Sequence, residues 1–180
     1  MYHANIVCTT NENEDFRRVL NTGFHTQLVA MNIPVKGEIG LETHAHVEQV
    51  FFILHGHALA IVDGTSVKLD SGDVLVVPPR TSHNIINTGK EALKIYTLYA
   101  PPNHLPDRVH HTKADADADV EDEAFGHAVH NGVAVGLSNS QTTGAFAPGY
   151  LPEFEPHPTP SSPLENPDEP AIQIYDFAEL

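Results

Sequence analysis

Apolar and β-branched residues gather in short runs along the first hundred positions, at 26–33, 50–54, 58–62, 67–69, 74–77, 84–86 and 93–99. Runs of three to eight such residues, bounded by turn-forming residues, predict strands. The turn signals are Val35-Lys36-Gly37, His55-Gly56, Asp63-Gly64, Asp70-Ser71-Gly72, Pro78-Pro79 and Asn87-Thr88-Gly89. Asp63-Gly64 between two apolar runs is a strong hairpin signal, because both residues tolerate the positive φ of a two-residue turn. Only residues 13–20 offer helix-like composition, over a short span. The pattern predicts an all-β domain, a sandwich or barrel of short strands.

The pattern stops near Lys113. Residues 1–113 hold all nine basic residues and 11 acids, whereas residues 114–180 hold 13 acids and no Lys or Arg. The second part opens on the acidic alternation ADADADVEDE, and eight of the 14 prolines fall between Pro148 and Pro170. Proline at that density disfavours helix and central strand. The expected organisation is a domain over 1–113 and an acidic, proline-rich, extended tail over 114–180. Residues 171–177, AIQIYDF, alternate as a strand that could pack as an arm on a sheet edge. The formal charge of −15 argues against nucleic-acid binding. No run of about 18 apolar residues predicts a membrane span. A lone cysteine and the absence of a leader pattern lead to the expectation of a cytoplasmic protein.

Two motifs carry the candidate chemistry. The first is GEIGLETHAHVEQVFFILHG, residues 37–56, and the second is GDVLVVPPRTSHNIIN, residues 72–87. Together they resemble the paired motifs of the cupin superfamily. The second departs once, with Arg80 where glycine is usual. The first has Glu42 for the first histidine of the pattern and Gln49 for its glutamate. Residues 13–117 further resemble small single-domain cupins often labelled mannose-6-phosphate-isomerase-like, through FRRVL-TG, QLV-M, Glu48-Gln49, HN-I-NTG and YAPP-H…H-TKADA. The resemblance implies a double-stranded β-helix, or jelly-roll barrel. It also implies one divalent transition metal (Zn, Fe, Mn, Ni or Cu) held by Glu42, His44, Gln49 and His83.

The spacing suits that role on physical grounds. Residues two apart on a strand share a face, so Glu42 and His44 can point into a barrel together, with Gln49 and His83 arriving from other strands. Imidazole and carboxylate donors suit these metals. A rival set uses His44, His46 and His83, but finds Val50 where an acid is needed. Glu42, if displaced from the metal, and His46 are the candidate bases. Gln27, Arg80 and Tyr96 are candidate substrate contacts. Arg17 and Arg18 read as structural salt-bridge formers, and His104, His110 and His111 have no assigned role. The expected function is a metalloenzyme acting on a small polar molecule in the barrel, by isomerase- or lyase-type Lewis-acid chemistry or as an oxygenase. A ligand-binding or sensing module and a metal-free structural cupin are the alternatives. A homodimer paired through sheet edges is expected.

Overall fold

The structure is a computed structural model and describes residues 1–130. The proline-rich stretch and the strand expected over 171–177 lie outside the described residues. Nine strands form two antiparallel sheets among the described residues. They are β1 (Arg17–Thr22), β2 (Gln27–Ile33), β3 (Glu48–His55), β4 (His57–Val62), β5 (Thr65–Asp70), β6 (Val74–Val77), β7 (His83–Asn87), β8 (Leu93–Ala100) and β9 (Val109–His110). One sheet runs β6-β3-β8-β2-β1-β9 and the other β5-β4-β7. The chain crosses between them at the β3–β4, β5–β6, β6–β7 and β7–β8 connections, the double-sheet layout of a jelly roll.

Alternation builds the core. On β8, Leu93, Ile95, Thr97 and Tyr99 are buried, while the residues between them are only half-buried. Val29, Met31 and Ile33 from β2, Phe51 and Ile53 from β3, and Ala58, Ala60 and Ile85 from the smaller sheet meet them. The Asp63-Gly64 hairpin forms as expected: both residues have positive φ, 46° and 79°, and Val62 pairs with Thr65 across the turn. Gly56 turns the chain from β3 to β4 at φ 101°, and a Cβ there would stand 3.2 Å from the Leu93 backbone.

Two expectations need correction. The second half of the helix-like stretch 13–20 lies in β1 and its first half is irregular, and the helix precedes it: α1 (Ile6–Glu12), whose N-cap Asn5 accepts from the Cys8 N–H. Hydrogen bonding to β2 and β9 overrides the local preference of Arg17 to Leu20. The second correction concerns the acidic run, which does not begin a solvated tail. It forms α2 (Lys113–Ala118) and α3 (Val120–His130). Thr112 and Asp115 close a reciprocal capping box on α2. Glu121, Asp122 and Glu123 occupy the first turn of α3, where the helix dipole favours acids. Asp122 and Phe125 are buried, and Ala116 packs on the core. A Cβ at Gly126 would meet the Asn103 carbonyl oxygen at 3.2 Å, so α3 lies close on the segment after β8. The folded body therefore runs past residue 113. No helix among the described residues is long and apolar enough to cross a membrane.

Candidate metal centre and its cavity

Backbone pairing puts three donors side by side. Glu42 and His83 form an antiparallel bridge in which each N–H donates to the other's carbonyl at 2.9 Å. Residues opposed in this way send their side chains to one face. His44 follows two residues later, its carbonyl held by the Arg80 N–H at 2.7 Å. Gln49 arrives from β3, in register with Tyr99 of β8, which in turn pairs with Gln27 of β2. Donor atoms of Glu42, His44 and His83 all lie within 4.8 Å of one another. A point within about 2.8 Å of all three therefore exists, and sub-ångström shifts give the usual bond lengths of about 2.0–2.2 Å.

The contacts around this point fit a cation. Nδ1 of His83 donates to the Thr81 carbonyl at 3.0 Å, which leaves Nε2 as a lone pair in the neutral ring. That lone pair faces Gln49 Oε1 at 3.0 Å, and Glu42 Oε2 stands 3.4 Å from His44 Nε2. Two donors bonded at about 2.1 Å to one ion lie about 3.0 Å apart at a right angle and about 3.4 Å apart at the tetrahedral angle. The amide of Gln49 has two orientations. With nitrogen toward His83 it donates to the ring; with oxygen there, both lone pairs serve one cation.

Burial and charge set the protonation states. Burial opposes ionisation of Glu42, but the His44 ring and the Arg17 guanidinium outweigh it and hold the carboxyl down to about 2. Arg17 Nη2 reaches Glu42 Oε1 at 3.4 Å. A carboxylate so weakly basic holds a cation better than it takes a proton. Burial lowers the His83 pKa, against the opposing pull of the Thr81 carbonyl and Glu42, so the ring is held neutral for ligation. Burial pushes the Tyr99 hydroxyl well above its ordinary range, and its ring packs edge-on against both His44 and His104.

A cavity of about 350 Å³ opens beside Glu42 and His44, and Arg17, His104, Asp122 and His127 also line it. Its size suits a small molecule. The other candidates from the sequence do not line it. His46 is exposed and outside the donor cluster. Tyr96 projects from the opposite face of β8 and stacks on Phe52 at 4.7 Å. Arg80 is exposed, with φ 68°. Gln27 is buried, but its amide is saturated by protein: it donates to Thr22 Oγ1 and the His104 carbonyl, and accepts from the N–H groups of Asn103 and His104. Its role is to anchor the segment carrying His104.

Sequence reasoning missed the groups around the cavity that lie far from the two motifs. His104 Nδ1 meets Asp122 Oδ2 at 2.8 Å, and Arg17 Nη1 lies 3.8 Å from the same oxygen. Asp122 was hidden in the acidic run, where the Thr112–Asp115 capping box was the available helix signal.

Comparison with known proteins agrees with this architecture. The Cupin domain family matches residues 29–99. A solved structure, BH2720 from Bacillus halodurans, is 37% identical, with a TM-score of 0.64 over 65% of this chain and 93% of that one. The uncharacterized protein L612 of Acanthamoeba polyphaga mimivirus is 35% identical over 61% of this chain and 71% of its own length. The Bacillus subtilis (strain 168) protein YrkC is 41% identical over 64% of this chain, and the match spans 65% of YrkC. The chain belongs to the cupin superfamily.

Proposed function

We propose that the chain is a metal-dependent cupin enzyme that acts on a small polar molecule in the cavity beside Glu42 and His44. The observation that carries this reading is the convergence of Glu42, His44 and His83 within 4.8 Å. With Gln49 they offer two imidazoles, a carboxylate and an amide oxygen to one divalent transition ion, a donor set open to Zn, Fe, Mn, Ni or Cu. A bound ion would supply Lewis-acid polarisation of a substrate oxygen.

The chain's own groups do the rest. Arg17 and His44 keep Glu42 ionised. The Thr81 carbonyl fixes the His83 tautomer so that Nε2 faces inward. Phe51 packs edge-on against the His83 ring, with centroids 5.8 Å apart, and limits its rotation. Isomerase- or lyase-type proton transfer is favoured over oxygen chemistry, because an imidazole with a carboxylate partner, His104, lines the same cavity.

Elemental analysis of untagged protein tests the reading. Wild type should carry about one equivalent of a transition metal, as the one donor cluster among the described residues implies, and His83→Ala should lose it. Wild type without metal, even after reconstitution, would overturn the reading and favour a metal-free binding or structural cupin.

A further inference from the structure

One oxygen of the candidate ligand Glu42 is held by a residue far from the two motifs, Arg17 of β1. We propose that Arg17 is a positioning residue of the metal centre: it withholds Glu42 Oε1, so that Glu42 ligates through Oε2 alone, while Asp122 of α3 balances the Arg17 charge when a cation is bound. The inference rests on the metal-dependent reading above. It adds how two groups that are not ligands set the coordination and the affinity of the ion.

The backbone places Arg17. On β1 it stands in register with Met31 of β2 on one side and His110 of β9 on the other. The residue is buried, whereas Arg18 beside it is exposed. The two oxygens of Glu42 then have separate neighbours. Oε1 accepts from Arg17 Nη2 at 3.4 Å. Oε2 stands 3.4 Å from His44 Nε2, on the side of the other donors. A carboxylate can give an ion one oxygen or both. A guanidinium on Oε1 opposes the second bond, because ion and guanidinium repel each other. The coordination position that Oε1 would take stays open, as in catalytic metal sites, and the cavity lies beside it.

A buried guanidinium next to a divalent ion needs a counter-charge besides the ligand itself. Asp122 supplies it. Its Oδ2 lies 3.8 Å from Arg17 Nη1 and 2.8 Å from His104 Nδ1, and the Leu105 N–H donates to Oδ1 at 2.7 Å. Arg17 Nη1 also stands 3.5 Å from His104 Nδ1, so three groups from β1, α3 and the segment after β8 meet there. Asp122 is buried and lies outside the donor cluster of Glu42, His44 and His83, so it acts through Arg17. The two residues therefore have effects of opposite sign. Without Arg17, Oε1 is released and a positive charge is gone, and both changes tighten cation binding. Without the Asp122 charge, Glu42 must balance Arg17 and the ion together, and binding weakens.

Titration with Co²⁺ at neutral pH tests the proposal, read by visible absorption and by competition with a chromophoric chelator. Wild type should take up about one equivalent. Arg17→Met should bind Co²⁺ about tenfold or more tighter, and its d–d bands should weaken and shift, because a second carboxylate oxygen raises the coordination number. Asp122→Asn should bind about tenfold or more weaker, with the bands of wild type. The double variant, Arg17→Met with Asp122→Asn, removes both charges of the buried pair and leaves neither without its partner. It should show the bands of Arg17→Met, and it carries the test if circular dichroism shows either single variant unfolded. Weaker binding in folded Arg17→Met, the result of a purely structural role, overturns the proposal. So do wild-type bands in the double variant, or wild-type affinity in folded Asp122→Asn. Wild type that takes up no Co²⁺ overturns the metal-dependent reading and this inference together. One equivalent in wild type with any of the other adverse results overturns this inference alone.

Discussion

Arg80 shows how one residue can keep a family's backbone while losing its usual side chain. Its φ is 68°, the left-handed region, and its N–H is spent on the His44 carbonyl at 2.7 Å. The conformation is what a glycine at this motif position adopts freely. Left-handed backbone costs a residue with a Cβ about 1–2 kcal/mol, and glycine forfeits roughly 0.5–1 kcal/mol in chain entropy. Arg80→Gly should therefore stabilise the fold by about 0.5–1 kcal/mol by denaturant titration. The guanidinium is exposed and does not line the cavity, so metal stoichiometry should stay at the wild-type value. A variant that stabilises the chain but releases metal would restore a site role for the side chain.

At the scale of elements, the site depends on how the segment after β8 is pinned to β2. Gln27 makes four hydrogen bonds, three with the backbone of residues 103 and 104 and one to Thr22 Oγ1 of β1. Gln27→Leu keeps the volume but strands two buried N–H groups and one carbonyl. Each stranded group costs about 1–3 kcal/mol. The variant should lose about 3 kcal/mol or more of stability in chemical denaturation, and should loosen His104, seen as faster amide exchange at Asn103 and His104. A loss under about 1 kcal/mol would mean that water replaces the amide without cost and that Gln27 is not the anchor. The strands themselves were legible, because a period of two with Gly, Asn and Asp punctuation is a local signal: β6 occupies 74–77 as read, and the other strands of the core differ by a residue or two at their ends. The elements that were not legible are those whose state is set by distant partners. Arg17 extends because its strand pairs with β2 and its guanidinium finds Glu42 and Asp122. The ADADADVEDE run reads as solvated charge, yet one acid in it, Asp122, is buried against His104 and Arg17. Spacing also singled out Glu42, His44 and His83, which the structure gathers within 4.8 Å, and Gln49, whose Oε1 stands 3.0 Å from His83 Nε2, since the motif encodes which strand faces oppose. It could not find His104, whose position follows from Gln27 and α3.

At the scale of the whole molecule, the buried pair that joins α3 to the barrel makes stability depend on pH in a defined window. Burial, reinforced by the Arg17 charge, outweighs the pull of Asp122 and Glu42 and drives the His104 pKa down to about 4. The unfolded chain restores the ordinary value of about 6.5. Between these values the unfolded state binds a proton that the folded state refuses, so stability is complete above about 6.5 and falls as pH drops toward 4. Burial opposes ionisation of Asp122, but its bonds to His104 and Leu105 and the Arg17 charge outweigh it and lower its pKa. Its contribution is present above its ordinary value and fades below that, which extends the loss in the same direction. The His104 part amounts to on the order of 2–3 kcal/mol between pH 7 and pH 4. Melting temperatures of wild type and His104→Gln across this range isolate it, because the other histidines titrate in both proteins. The difference in stability between the two should shrink steadily from pH 7 to pH 4. Parallel curves would show that His104 is not held neutral in the folded chain, and that α3 docks through burial of Phe125, independent of the charge state of its acid.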